Sequence, residues 1–251
     1  MSAQAQESES IFTWLWRGFL ALLPAILIAL IALDLTPAVD LPLSRLFYRP
    51  GEGFFLDHAW PVQLLYHGTR WLSAALAVGL LATLAWAAAT AGAGGAPRKL
   101  LRNWALYAVL AMAVGPGLVT NTLLKDHWGR PRPEQVRQFG GSADFVPALW
   151  PTGSCGHNCS FVSGHAAAGF FLMTGAWVWP RRRRWWLGGG IAAGTLIGLA
   201  RIAQGGHFFS DVLGAGIVVY LTDDWLYRWM LLRGWLPPPP KPQKKPAQKK
   251  A

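Results

Sequence analysis

Six apolar runs separated by polar loops constrain this chain more than anything else in it. They fall at residues 11–33, 71–93, 104–124, 165–179, 185–200 and 208–230. Each is near the length of helix that the hydrocarbon core of a bilayer demands. In that medium every backbone amide must be satisfied internally, so the runs read as helices. The fold class is therefore all-α: a polytopic membrane protein of about six transmembrane helices. With 53% hydrophobic and only 14% charged residues, the composition lies outside the soluble range and supports the same reading. The first run follows a polar stretch with no basic n-region and no clear cleavage site. It reads as a retained anchor, with Pro24 as a kink that membrane helices tolerate.

The net charge of +11 at first suggests a nucleic acid, but its placement argues otherwise. Arg98, Lys99 and Arg102, then Arg181 to Arg184, then Lys241, Lys244, Lys245, Lys249 and Lys250 hold twelve positive charges in three clusters. No basic stripe runs along a soluble domain, so nucleic-acid binding is excluded as a reading. The clusters follow the second, fourth and sixth runs, which open on one side, and the positive-inside rule makes that side the cytoplasm. Both termini are then cytoplasmic, in a bacterial inner membrane, and the loops after the odd-numbered runs face the periplasm. Residues 34–70 mix prolines, charges and aromatics, and read as an interfacial loop with one or two short amphipathic helices and a headgroup belt of rings. Asp223 and Asp224 read as an interfacial ion-pair group with Arg228, with an intramembrane site as the alternative. Residues 1–236 form one transmembrane domain, and 237–251 a disordered basic tail.

The chemistry-bearing residues gather in the periplasmic loops. The segment from Lys125 to Pro133 reads Lys-Asp-His-Trp-Gly-Arg-Pro-Arg-Pro, in which Lys125, Arg130 and Arg132 resemble a clamp for an anion. On the side that the positive-inside rule disfavours, such a cluster wants a functional reason. Ser163, Gly164 and His165 open the fourth run, where an N-cap, a glycine permitting close backbone approach and free amides make an anion site. Arg201 closes the fifth run, and His207 and Asp211 stand four apart at the head of the sixth, spaced so that the carboxylate can orient the imidazole. Two histidines, a carboxylate, several cations and a helix N-terminus suit phosphoryl transfer, where catalysis is mostly positioning and charge stabilisation.

These three stretches, Lys-x6-Arg-Pro, Ser-Gly-His and Arg-x5-His-x3-Asp, resemble the three-part signature of the type-2 phosphatidic acid phosphatase family, in order and over about 90 residues. The resemblance implies a phosphomonoesterase that needs no metal or other cofactor and works through a phosphohistidine. By that likeness His207 is the nucleophile, Asp211 holds and polarises it, and His165 is the general acid. Lys125, Arg132, Arg201, Ser163 and Gly164 would hold the phosphoryl oxygens. Two positions depart from the family pattern: Val162 stands where a proline is usual and Ala200 where a serine is usual. They bear on turnover and substrate preference more than on reaction type.

Cys155 and Cys159 lie in the loop before Ser163, on the side assigned to the periplasm. A disulfide is the reading that compartment favours, with a zinc site using His157 and idle thiols as alternatives. The expected substrate is a membrane lipid phosphate, whose acyl chains stay in the bilayer: phosphatidic acid, phosphatidylglycerol phosphate, undecaprenyl pyrophosphate or a lipid A phosphate. No oligomer is required. A lipid phosphotransferase using the same site, and a non-catalytic lipid-binding or transport protein, are the competing functions.

Overall fold

The computed structural model describes residues 27, 28, 31, 33–92 and 94–238. The anchor expected over 11–33 and the tail expected over 237–251 lie almost wholly outside the described residues. The remainder is an all-α membrane protein whose only sheet, among the described residues, is a two-stranded hairpin, β1 (Tyr48–Arg49) against β2 (Gly53–Phe54).

A short helix, α1 (Pro37–Arg45), precedes the hairpin, and α2 (Trp60–Ala89) follows it. Pro61 starts α2, where its missing amide would be unpaired in any case. The helix therefore begins eleven residues before the apolar run, which corrects the far end of the interfacial stretch expected over 34–70, while α1 is one of the short helices expected there. The extension puts Tyr66, Thr69 and Arg70 on helical turns. The aromatic belt also needs correction: Tyr48 and Phe54 turn inward and pack edge-on against Phe139, in a small cluster with Val136 and Phe208.

The next helix, α3, is continuous over Gly95–His127 but changes pitch. It is α-helical over Gly95–Met112, π-helical over Ala113–Leu124 and closes on Lys125–His127. Pro116 cannot donate an i→i−4 bond, and the wider pitch accommodates it. Asn121 Nδ2 donates to the Pro116 carbonyl at 2.7 Å. The helix thus carries Lys125 in its last turn, where the sequence suggested a loop.

Helix α4 is composite, with α-helical Gly164–Phe170, a 3-10 turn Phe171–Thr174 and α-helical Gly175–Val178. It packs closely on α5 (Arg183–Ala203), because Gly169 and Gly194 face each other and a Cβ on either would collide with the opposite helix. Helix α6 (Phe209–Leu232) completes the bundle. Its core includes Tyr107, Phe161, Phe170, Trp177, Ile202 and Val212. Helices α2, α3 and α5, the last with its preceding turn, are long and apolar enough to cross a membrane. On α6 Arg228 bonds Asp224 at 2.5 Å, but Asp223 turns into the bundle and accepts from Thr174 Oγ1 at 3.0 Å, so it does not join the ion pair.

Candidate active site

Four helix ends meet at one place: the C-termini of α3 and α5 and the N-termini of α4 and α6. Backbone hydrogen bonds tie the long loop from Trp128 to Val162 to the end of α3 and to itself, and the N-cap that follows it to the start of α6. Cys159 N donates to Lys125 O at 3.0 Å, Ser160 N to Arg130 O at 2.9 Å, and Ser163 N to Asp211 O at 3.0 Å. Gly129 adopts φ +72°, and a Cβ there would strike Thr152 O, so only glycine lets the Gly-Arg-Pro-Arg-Pro segment pass. Ser163 is the N-cap of α4: its Oγ accepts from Ala166 N at 3.4 Å.

His207 occupies the turn between α5 and α6 and is 1% exposed. Its Nδ1 lies 2.8 Å from the Ser160 carbonyl, an oxygen that can only accept. Nδ1 therefore carries the hydrogen, and Nε2 keeps a free lone pair. Burial pulls the ring's pKa down from 6.5 to about 4, with the nearby Arg201 charge adding to that pull and Asp211 opposing it. Asp211 stands 3.7 Å from Nδ1, further than the carbonyl, so it acts on the ring as a charge more than as its closest hydrogen-bond partner. Its oxygens are held by Ser160 Oγ at 2.5 Å, Phe208 N at 2.7 Å and Arg130 Nη1 at 2.5 Å. The Phe208 bond also caps the start of α6, so one carboxylate serves both the helix end and the imidazole.

The structure separates the three cations of the Lys-x-x-x-x-Arg-x-Arg stretch. Arg130 is fully buried and its fork is engaged by protein at every nitrogen: Nε to Val146 O at 2.8 Å, Nη1 to Ser210 Oγ and Asp211, and Nη2 to Asp40 Oδ2 at 2.8 Å. Its place in an anion clamp is thereby corrected, because it is fully buried and four of its five N–H groups go to protein acceptors. Arg132 is partly exposed, with Nη2 donating to Asn158 O at 2.9 Å and Glu134 3.9 Å away. Lys125 has Arg132 and Arg201 as close charged neighbours. Arg201 gives Nη1 to Gln204, and its Nε is buried without a partner. Lys125, Arg132 and Arg201 thus form a cluster of positive charge, with the carboxylates Asp126, Glu134 and Asp57 around it.

His165, the second residue of α4, has the cations Arg201, Lys125 and Arg70 and the imidazole of His207 as its neighbours. Beside it a cavity of about 410 Å³ opens between α2, α3 and α4, reaching Lys125, Gly164, Arg70 and Asn121.

Two residues of the site lay beyond sequence reasoning. Asp40 on α1 is fully buried and accepts from Ser210 N at 2.8 Å, Ser210 Oγ at 2.6 Å and Arg130. Burial raises its pKa, against the pull of Arg130. Tyr66 on α2 stacks on the His165 ring and lies under Arg201. The only signal for either was an acid or a ring in a proline-bounded stretch otherwise read as interfacial.

Cys155 and Cys159 are joined in a disulfide, Cα atoms 5.7 Å apart, which removes both thiols as zinc ligands. His157 instead pairs with Asp126 at 3.0 Å. Val162 is fully buried in the core, and Ala200 is buried on α5; neither has a polar atom to offer the site.

Helix ends that converge on two imidazoles and a cation cluster define a membrane-embedded anion-handling protein. Residues 104–235 match the PAP2 superfamily, and the chain belongs to it. It is similar to proteins named lipid A 4'-phosphatase from three bacteria. With that of Francisella tularensis subsp. novicida it is 41% identical over 131 residues, 51% of this chain and 59% of that protein. With that of Rhizobium etli it is 44% identical over 103 residues, 41% of this chain and 40% of that protein. With that of Rhizobium leguminosarum it is 41% identical over 103 residues, 41% of this chain and 44% of that protein. The matches thus span about half the length of these relatives. No solved structure matches the chain.

Proposed function

We propose that the protein is a lipid phosphate phosphatase that works through a covalent phosphohistidine, with its site at the periplasmic face of a bacterial inner membrane. The observation that carries this reading is the lone pair on His207 Nε2, left free by the Ser160 contact, beside a cluster of three cations. Nε2 attacks the phosphorus, the P–O bond to the lipid alcohol breaks, and His165 gives its proton to the departing oxygen. A water then attacks the phosphohistidine, His165 takes up its proton, and phosphate leaves as Nε2 is restored. Lys125, Arg132, Arg201 and the amides at Ser163 and Gly164 hold the phosphoryl oxygens. Three cations and a helix N-terminus meet the phosphate charge, so the reaction requires no metal.

The cavity beside His165 opens on the side where the leaving alcohol would stand. The names of the similar proteins make the 4'-phosphate of lipid A the first substrate to try.

The test is phosphate release from a panel of purified lipid phosphates, in detergent with EDTA. His207→Ala should abolish release while the protein stays folded. Retention of more than a few per cent of activity removes His207 as nucleophile.

A further inference from the structure

Hydrogen bonding does not account for how His165 is held. Its Nε2 is buried without a partner among the described residues, and Arg201, Lys125 and Arg70 around it are cations that cannot anchor a protonated ring. What meets the imidazole is a face. The Tyr66 ring lies parallel to it, centroids 4.6 Å apart and planes 22° from one another. The other neighbour of that ring is Arg201, whose guanidinium carbon sits 4.7 Å from the Tyr66 centroid. Arg201 too has an unpartnered Nε, and its Nη1 goes to Gln204. One aromatic ring therefore supports two groups that lack enough polar contacts to fix themselves. Stacked and cation–π contacts of this kind suffice to select a rotamer.

Tyr66 enters from the second turn of α2, outside the residues shared with the family, and its edge is backed by His67 at 5.0 Å. Its hydroxyl makes no hydrogen bond among the described residues, so the ring face is what the site uses.

We propose that Tyr66 is a positioning residue: its ring holds the His165 imidazole in line with the leaving oxygen. The inference rests on the phosphatase reading above. It predicts a dependence on the leaving group, because an alkoxide needs the proton of a well-placed acid and a nitrophenolate does not.

The experiment compares wild type, Tyr66→Phe and Tyr66→Leu in detergent on two substrates, a long-chain alkyl phosphate and p-nitrophenyl phosphate. Tyr66→Leu should lose about tenfold or more in kcat on the alkyl ester and less than about threefold on the aryl ester; Tyr66→Phe should match wild type on both. Equal losses on the two esters, no loss at all, or a phenylalanine variant as impaired as the leucine one would overturn the proposal. If Tyr66→Leu does not fold, Tyr66→Met, of similar size and without a ring face, takes its place under the same criteria.

A readout independent of turnover separates this idea from the phosphatase reading. The ring-current shift of the His165 Cε1 proton, assigned with His165→Gln, should persist in Tyr66→Phe and vanish in Tyr66→Leu. A shift unchanged by Tyr66→Leu sinks the positioning role. A wild type that releases no phosphate from any lipid sinks the phosphatase reading alone.

Discussion

At His207 a backbone carbonyl does what the spacing of His207 and Asp211 had suggested for the carboxylate. Ser160 O takes the Nδ1 hydrogen at 2.8 Å, and Asp211 waits at 3.7 Å. The carbonyl cannot be titrated, so the reactive tautomer persists at any pH where the ring is neutral. Burial first, and then the Arg201 charge, set that range by drawing the ring's pKa from 6.5 to about 4. Attack needs the unprotonated ring, and protonation grows as pH falls. Proton donation also needs a protonated His165, so kcat/KM should be bell-shaped, with attack by His207 lost as pH falls through about 4. A pH–rate profile with its acid midpoint near the ordinary histidine value would contradict this environment.

Two arginines of one short segment part company once the elements are in place. Arg130 is a strut between elements: it joins α1 through Asp40, the start of α6 through Ser210 and Asp211, and its own loop through Val146. The Phe208 ring lies 4.5 Å from its guanidinium carbon, which fills the remaining space. Arg132, two residues on, keeps a guanidinium partly open beside Lys125. Arg130→Ala should cost about 3–5 kcal/mol of stability, since it leaves two carboxylates buried without their cation. Arg132→Ala should stay within about 0.5 kcal/mol of wild type and instead raise KM for the lipid phosphate. Denaturant unfolding in micelles and steady-state kinetics on the two variants separate these roles. Equal stability losses would refute the division. Residues 125–133 showed a dense positive segment, but not this division, because Asp40 is 90 residues away in sequence and reaches Arg130 only through the fold.

For the whole molecule the decisive question is which face of the membrane bears the site. The arginines of the α4–α5 turn and the disulfide loop sit at opposite ends of α4. Positive charge near Arg181 to Arg184 argues that this end is cytoplasmic and the loop periplasmic. With both native cysteines changed to serine, Ser154→Cys should react with a membrane-impermeant maleimide in intact cells, and Arg182→Cys only after lysis. The reverse pattern would put the site on the cytoplasmic side. The helical plan was legible because a bilayer admits few backbone solutions, and the apolar runs marked α2 to α6. Helix beginnings were less legible: α2 and α3 start well before their apolar runs, since turns above the hydrocarbon need no apolar residues.

The order of residues alone established an all-α membrane chain with three chemistry-bearing stretches, because hydrocarbon length and local spacing are properties of consecutive residues. Tertiary packing alone decided that Arg130 is internal, that Asp40 shares it with Asp211, and that Tyr66 carries His165 and Arg201. A buried charge or an aromatic face takes its role from whatever neighbour the fold brings within a few ångströms, and that neighbour has no fixed distance along the chain.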